Sequence, residues 1–314
     1  MTSGSERPAS TAAGVRRSGG RYDLVALDLD GTLLDPAGRV SRANLLAVER
    51  AREAGMRVVI CTGRGLGECG HALDALGRDD PVIVSGGAMV SCPRTGATLF
   101  RFAMDGALVR DVAAEILGDG HAAVMLKDAH AAGYDYFVAA PDGEGSVDPA
   151  SRWWFRSMGA RVRVAASVAE DEHPEHTVRI GLTATGRAVD GLHGRLESSF
   201  ASRAMIQRFA PLALPSDAAA HGLDAPVTVV ELFDPRATKW SAVRWLADRE
   251  GIVPARVVAV GDETNDLDMV RGAGLGIAMG NARPAVLAAA GRTTRSNTED
   301  GVAYALERIL EGSW

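Results

Sequence analysis

Short runs in which every position is apolar alternate, along this chain, with longer stretches in which apolar residues recur every three or four positions. Leu24-Val25-Ala26-Leu27 is the first such run, and four consecutive apolar residues predict a strand buried on both faces. It ends at Asp28-Leu29-Asp30-Gly31-Thr32. A helical pattern then runs from Ser41, placed as an N-cap, to Ala54, with Gly55 placed as a C-terminal stop. Val58-Val59-Ile60-Cys61 repeats the buried-strand pattern and ends at Thr62-Gly63-Arg64. A helical stretch at 66–77 and a third strand, Val82-Ile83-Val84, follow. Strand and helix alternating in this way predict a parallel sheet with helices on its faces.

From about 91 to 232 the pattern changes to strands in antiparallel-looking runs, at 122–126, 134–139, 178–182, 205–209 and 227–233. Helices are predicted at 105–118, 150–158 and 187–199. The first pattern then resumes, with a helix at 238–250, the strand Val257 to Val260, a helix from 265, a strand at 275–278 and a last helix at 301–311. The expected fold is therefore α/β: a doubly wound, Rossmann-like parallel-sheet core over 21–90 and 233–314, interrupted at 91–232 by an inserted α+β cap domain. Residues 1–20, rich in Ser, Gly, Ala and Arg, read as a disordered tail.

Composition narrows the function classes. The 314 residues leave room for two ordinary domains. Acidic residues outnumber basic ones by 40 to 34, for a net charge of −6, which argues against a nucleic-acid partner. Three cysteines make no disulfide framework, and the expected compartment is a reducing cytoplasm. No apolar stretch approaches the roughly 18 residues of a membrane span. Arg16-Arg17 is followed by no apolar region, so export is not expected.

The reactive residues sit where strands end or helices begin, and in an open parallel sheet those carboxyl ends share one crevice. Asp28 and Asp30, two apart at a strand end, point to one side if the extended geometry persists. One carboxylate can attack phosphorus while the other protonates the leaving alcohol and then activates water. Asp30-Gly31 also suits a plain turn. The strand Val257 to Val260 opens into Gly261-Asp262-Glu263-Thr264-Asn265-Asp266, and acids at the end of a buried strand call for a cation. Mg²⁺ takes oxygen ligands of this kind, with Asp262 facing Asp28. Thr62 offers a hydroxyl, and Gly63 beside it a backbone N–H, to a phosphate oxygen. Lys239, at the start of a helix, can neutralise phosphoryl charge.

In that order the segments resemble the four motifs of the haloacid dehalogenase superfamily, and the insertion together with Gly280-Asn281-Ala282 and Asp300-Gly301-Val302 resembles its Cof-type subgroup with a large cap. The resemblance implies a Mg²⁺-dependent phosphatase acting on a small phosphorylated metabolite, such as a sugar phosphate. It assigns Asp28 as nucleophile and Asp30 as general acid/base. Asp28, the Asp30 carbonyl and Asp262 hold the metal, with Asp266 in support. Thr62, Gly63, Lys239 and Asn265 sit around the phosphoryl group. A phosphomutase on the same fold is the nearest alternative. Two positions depart from the subgroup: Ser85-Gly86-Gly87-Ala88 stands where Asn-Gly-Ala is usual, and Lys239 is followed by Trp240 rather than Gly.

Other signals compete. Gly65-Leu66-Gly67-Glu68-Cys69-Gly70 fits a dinucleotide-binding oxidoreductase, but the acidic residue expected after the next strand is absent. A cysteine phosphatase would need Arg six positions after Cys, and none of Cys61, Cys69 or Cys92 has it. His173 and His176 read as a solvated loop, and Trp153-Trp154-Phe155 as helix packing with ring stacking on a substrate as the rival. A non-catalytic binding protein would have no use for the nucleophile.

Overall fold

A computed structural model of the chain describes residues 19–185, 189–212 and 227–314. The expected N-terminal tail lies outside them, apart from residues 19 and 20. The strands, in chain order, are β1 Leu24–Asp28, β2 Arg57–Cys61, β3 Val82–Val84, β4 Met89–Ser91, β5 Thr98–Arg101, β6 Ala123–Lys127 and β7 Tyr136–Ala139. They continue with β8 Val162–Ala165, β9 Thr177–Thr185, β10 Met205–Leu212, β11 Val227–Phe233, β12 Val257–Gly261, β13 Leu275–Ala278 and β14 Arg292–Thr293. The helices are α1 Arg42–Glu53, α2 Gly70–Leu76, α3 Gly106–Gly118, α4 Ala129–Ala132, α5 Pro149–Ser157, α6 Val189–Phe200, α7 Lys239–Arg249, α8 Leu267–Gly272, α9 Pro284–Ala289 and α10 Gly301–Leu310.

Two sheets result. The first has the order β14-β13-β12-β1-β2-β3-β4-β5, parallel from β14 to β3 and closed by the antiparallel β4 and β5. The second has the order β10-β11-β9-β6-β7-β8 and is antiparallel except between β7 and β8. The change of pattern at 91 thus falls inside the β4–β5 hairpin, which still belongs to the first sheet. The chain is a doubly wound α/β core with an inserted α+β unit.

Period-2 packing explains why positions 24–27 of β1 are all apolar. Leu24 and Ala26 enter the cluster formed with Val243 and Leu246 of α7, while Val25 and Leu27 enter the one formed with Val48 of α1 and Leu306 of α10. Each fully buried side chain of this size contributes about 1.5–3 kcal/mol. In the second sheet, by contrast, one face is covered by α3 and α6, and the other carries only the short helix α5. Met125, Phe137, Ile180, Leu182, Val230 and Leu232 pack on α3 and α6. The alternate positions, among them Val124, Tyr136, Arg179, Thr183, Val229 and Glu231, look instead across a cavity of 870 Å³ toward the carboxyl ends of β1 and β12.

Two expected elements take a different form. The stretch at 66–77 is broken into a tight turn, Leu66–Cys69, and the helix α2, because the Glu68 carboxylate accepts the Gly65 N–H at 2.8 Å and closes the turn on itself. The helix expected from 265 starts after a turn at Thr264–Asp266. Among the described residues, no helix is long and apolar enough to cross a membrane.

Candidate active site

β1 ends at Asp28, and the chain turns at once. Gly31 holds φ +78°, and a methyl group on it would overlap the Asp262 carboxylate. This close approach brings the first acidic segment against the last one. The loop is pinned from two more sides: Thr32 Oγ1 donates to Asp262 Oδ1 at 2.8 Å, and Asn281 Nδ2 donates to the Gly31 carbonyl at 2.8 Å. The extended geometry does not persist past Asp28, so Asp28 and Asp30 differ in setting. Asp28 is buried, whereas the Asp30 side chain is 54% exposed and is gripped by Arg64 at 2.9 and 2.5 Å. Both still line the cavity.

Beneath the cavity floor lies a buried ionic group. Lys239, the first residue of α7, donates to Asp28 Oδ1 at 2.5 Å and to Asp266 Oδ1 at 2.7 Å. The other oxygen of Asp266 accepts the backbone N–H groups of Asp262 and Glu263 at 2.9 and 3.1 Å. Asp266 therefore orients both the lysine and the loop after β12. Gly261 is required beside it, since a side chain there would meet the Asp266 carboxylate.

The energetics of this group are unbalanced. Burial, reinforced by the Asp266 and Asp262 charges, pushes the Asp28 carboxyl well above the usual range despite Lys239 beside it. Burial also raises Asp262, to about 6; the Thr32 hydrogen bond works against the rise and the Asp266 charge adds to it. For Lys239 burial acts downward, but the two facing carboxylates outweigh it and the ammonium stays above the ordinary lysine range. Asp28, Asp262 and Asp266 each present an oxygen within 4.8 Å of the others. Three hard oxygen donors with one ammonium between them form a set that a further cation would relieve.

Thr62 is fully buried. Its N–H is spent on the Ile83 carbonyl and its Oγ1 accepts the Arg64 N–H at 3.1 Å, so its hydroxyl proton is what it can offer. Gly63 and Asn265 line the cavity side by side, and the Asn265 Oδ1 is buried without a hydrogen-bond partner. An orphaned buried acceptor carries a desolvation cost and marks a place where a ligand group belongs.

Of the two departures from the family pattern, nothing in the structure explains Ser85, whereas Trp240 has a local reason. Ser85 is buried with φ +54°, and its hydroxyl has no hydrogen-bond partner. Trp240 packs on α8, where a side chain at Gly272 would overlap its indole. It is not among the residues lining the cavity.

Several residues of the site were not anticipated. Glu68 accepts from the Tyr136 hydroxyl at 2.5 Å and from Trp154 Nε1 at 3.0 Å. Arg179 donates to the Gly63 carbonyl at 3.1 Å and pairs with Glu231 at 3.0 Å. Charged residues inside the apolar strands β9 and β11 were the available signal. The competing readings lose ground here: the glycine-rich turn is filled by Glu68, and burial pushes the Cys61 and Cys69 thiols up. His173, Glu175 and His176 gather within 4.8 Å of one another, but they do not line the cavity.

A sequence model of haloacid dehalogenase-like hydrolases matches residues 25–306. The chain is 27% identical over 303 residues to the 5-amino-6-(5-phospho-D-ribitylamino)uracil phosphatase YwtE of Bacillus subtilis, covering 92% of this chain and 99% of the relative. It is 28% identical over 288 residues to the pyridoxal phosphate phosphatase YbhA of Escherichia coli, covering 89% and 96%. A haloacid dehalogenase-like hydrolase from Bacteroides thetaiotaomicron superposes with a TM-score of 0.73 at 22% identity, over 92% of this chain and 99% of that one.

Proposed function

The chain belongs to the haloacid dehalogenase-like hydrolases, and from that premise we propose that it is a Mg²⁺-dependent phosphatase of small phosphate monoesters that uses Asp28 as its nucleophile. One observation carries the reading: a buried carboxylate held by an ammonium, Asp28 on Lys239, faces Asp262 at the floor of a cavity far larger than a phosphate group. A purely structural ion pair does not need a third carboxylate or an opening above it.

Lys239 occupies Oδ1 of Asp28 and fixes the carboxylate, which leaves the second oxygen for in-line attack on phosphorus. The Asp28 O–P bond forms as the bond from phosphorus to the leaving alcohol breaks. Asp30, at the rim, gives that alcohol its proton once Arg64 releases it. Asp30 then takes a proton from the water that attacks the aspartyl phosphate, so that inorganic phosphate leaves and Asp28 is restored. Thr62, Gly63, Lys239 and Asn265 surround the transferred group with donors. Asp266 positions Lys239 and the loop after β12.

The donor set fits Mg²⁺. Asp262 keeps an oxygen apart from Thr32, the Asp28 oxygen that faces Lys239 has a second lone pair for the ion while the other attacks phosphorus, and the Asp30 carbonyl would complete the protein ligands, with Asp266 behind them. When bound, the ion supplies positive charge for the phosphoryl oxygens and keeps the acids ionised. Two relatives bear names of phosphatases of small metabolites, which supports the same substrate size.

The test is phosphate release from a panel of phosphorylated metabolites, with Mg²⁺ and with chelator, for the wild-type chain and Asp28→Asn. Turnover with Mg²⁺, and its fall by about 10⁴-fold or more in the variant, is expected. Asp28→Asn turning over at the wild-type rate would falsify the mechanism.

A further inference from the structure

A second cluster of metal-binding side chains lies away from the cavity. His173, Glu175 and His176, on the stretch that leads from β8 into β9, each present one ligand atom within 4.8 Å of the other two. His176 Nε2 is 3.3 Å and His173 Nδ1 4.0 Å from the same oxygen of Glu175, and the two imidazole rings stack with centroids 5.8 Å apart. Two ligands of a tetrahedral ion with bonds of about 2.0–2.1 Å stand about 3.4 Å apart, so one edge of such a site is already formed and a second is open by only about 0.6 Å. A histidine kept for packing alone would have its buried nitrogen paired. The His176 Nδ1 is buried and has no hydrogen-bond partner.

The backbone that carries these side chains is tied down from inside. Lys127, at the end of β6, is fully buried, and its ammonium donates to the Thr177 hydroxyl at 2.7 Å, to the His173 carbonyl at 3.2 Å and to Asp171. Asp171 in turn accepts the His173 N–H and the Tyr134 hydroxyl, both at 3.1 Å. Pro174 restricts the turn between the two histidines. A backbone held at both ends in this way loses little further freedom when an ion binds. The same segment touches the joint between the two sheets. The His176 carbonyl accepts the Asp128 N–H at 2.8 Å, and the Thr177 carbonyl accepts the Met104 N–H at 2.9 Å. Asp128 accepts from Thr98 and Arg101 of β5, in the first sheet, at 2.7 and 2.5 Å.

From this cluster we infer a second metal site, for a transition-metal dication of the zinc class, formed by His173, Glu175 and His176 with solvent completing the shell. Imidazole nitrogen suits Zn²⁺, Ni²⁺ and Cu²⁺, whereas Mg²⁺ prefers the all-oxygen set of Asp28 and Asp262. The two sites thus sort their ions by donor type. An ion held here fixes the turn Pro174–His176, and through the His176 carbonyl and Asp128 it braces the inserted unit against β5. No step of phosphoryl transfer passes through it, and the site does not depend on the activity proposed above.

The experiment titrates zinc chloride into the full chain in millimolar Mg²⁺, which keeps Zn²⁺ from the acidic floor. Uptake of one Zn²⁺ per chain that Mg²⁺ does not displace is expected. His173→Ala and His176→Ala should each weaken it by about 100-fold or more, since the loss of a mere supporting partner of a ligand costs about 10–100-fold. His130→Ala, outside the cluster, should leave it unchanged. Zinc should raise the melting temperature of the wild-type chain and not that of His176→Ala, each read against its own zinc-free melt so that a general loss of stability does not count. Cu²⁺ in place of zinc gives a signature of the donors: its electron paramagnetic resonance spectrum should show coupling to two nitrogens in the wild-type chain and to one in His173→Ala. No stoichiometric uptake, uptake unchanged in both histidine variants, or a Cu²⁺ spectrum without nitrogen coupling would overturn the site and leave the phosphatase standing.

Discussion

Gly31 and Gly38 hold nearly the same backbone angle, φ +78° and +74°, in very different surroundings. A methyl group at Gly31 would strike the Asp262 carboxylate, whereas nothing lies within 4 Å of one at Gly38. The pair therefore separates backbone strain from damage to the site. Gly38→Ala should cost about 1 kcal/mol in urea denaturation and leave kcat/KM unchanged. Gly31→Ala should cost at least as much and also lower kcat/KM by about 100-fold or more, because Asp262 must move and a displacement of about 1 Å near the chemistry has that effect. Equal activity in the two variants would remove Gly31 from the site. Lys239 makes a second residue-scale case. Lys239→Met leaves Asp28 and Asp266 buried together without their counter-charge, a loss of about 3–5 kcal/mol. The sign of its pH dependence follows from Asp28, which burial and the Asp266 charge already hold above its ordinary range. Without the ammonium it rises further, so protonating it in acid relieves the variant. The stability gap between wild type and Lys239→Met, read from denaturation midpoints, should therefore be wider at about pH 8 than at about pH 5.

At the scale of elements, the start of α7 is set by a contact with the turn after β3. Gly87 has φ +101°, and a methyl group there would overlap the Thr238 carbonyl, the residue that caps α7 and precedes Lys239. Gly87→Ala should shift the helix start, lower the melting temperature, and reduce kcat/KM although residue 87 does not line the cavity. A variant that melts lower but keeps full activity would show that α7 can move without taking Lys239 with it. Elements of this kind explain what the sequence made legible. The core strands β1, β2 and β12 are apolar throughout 24–27, 58–61 and 257–260 because both faces are covered there, and Asp28, Thr62 and Asp262 follow those runs. Length and pattern sufficed there. The strands β4, β5, β8 and β14 have two to four residues each, too few for a period to show, and exist because a neighbouring strand pairs with them. The glycine-rich turn at 65–70 misleads for a related reason, since its backbone donor is satisfied by Glu68, three residues on.

The arrangement of the two sheets was legible only in part. An insertion shows in the change of pattern, but the cavity wall is assembled from Glu68, Tyr136, Trp154, Arg179 and Glu231, which no spacing connects. Strand alternation puts Arg179 and Glu231 on one face, yet which face looks at Asp28 depends on how the second sheet sits over the first. The balance of charge beneath that cavity has a consequence for the stability of the whole molecule. Asp262 is raised from 3.8 to about 6, mainly by burial, so the folded state holds its proton more tightly than the unfolded chain does. A carboxyl raised in this way adds stability below about pH 4 that is lost as the pH climbs through about 6. The metal-free protein therefore gives up this contribution as it approaches neutrality, and Asp28 acts in the same direction. Mg²⁺ binds only the ionised carboxylates, so its gain is largest where their mutual repulsion is largest. Thermal melts with millimolar Mg²⁺ and with chelator should show a rise in Tm at about pH 7.5 that shrinks strongly at about pH 5. The same rise at both pH values would mean that the ion binds somewhere other than Asp28 and Asp262. Asp262→Asn separates these cases, because it removes a ligand charge and the pH-dependent repulsion together; its melt should gain little from Mg²⁺ at either pH.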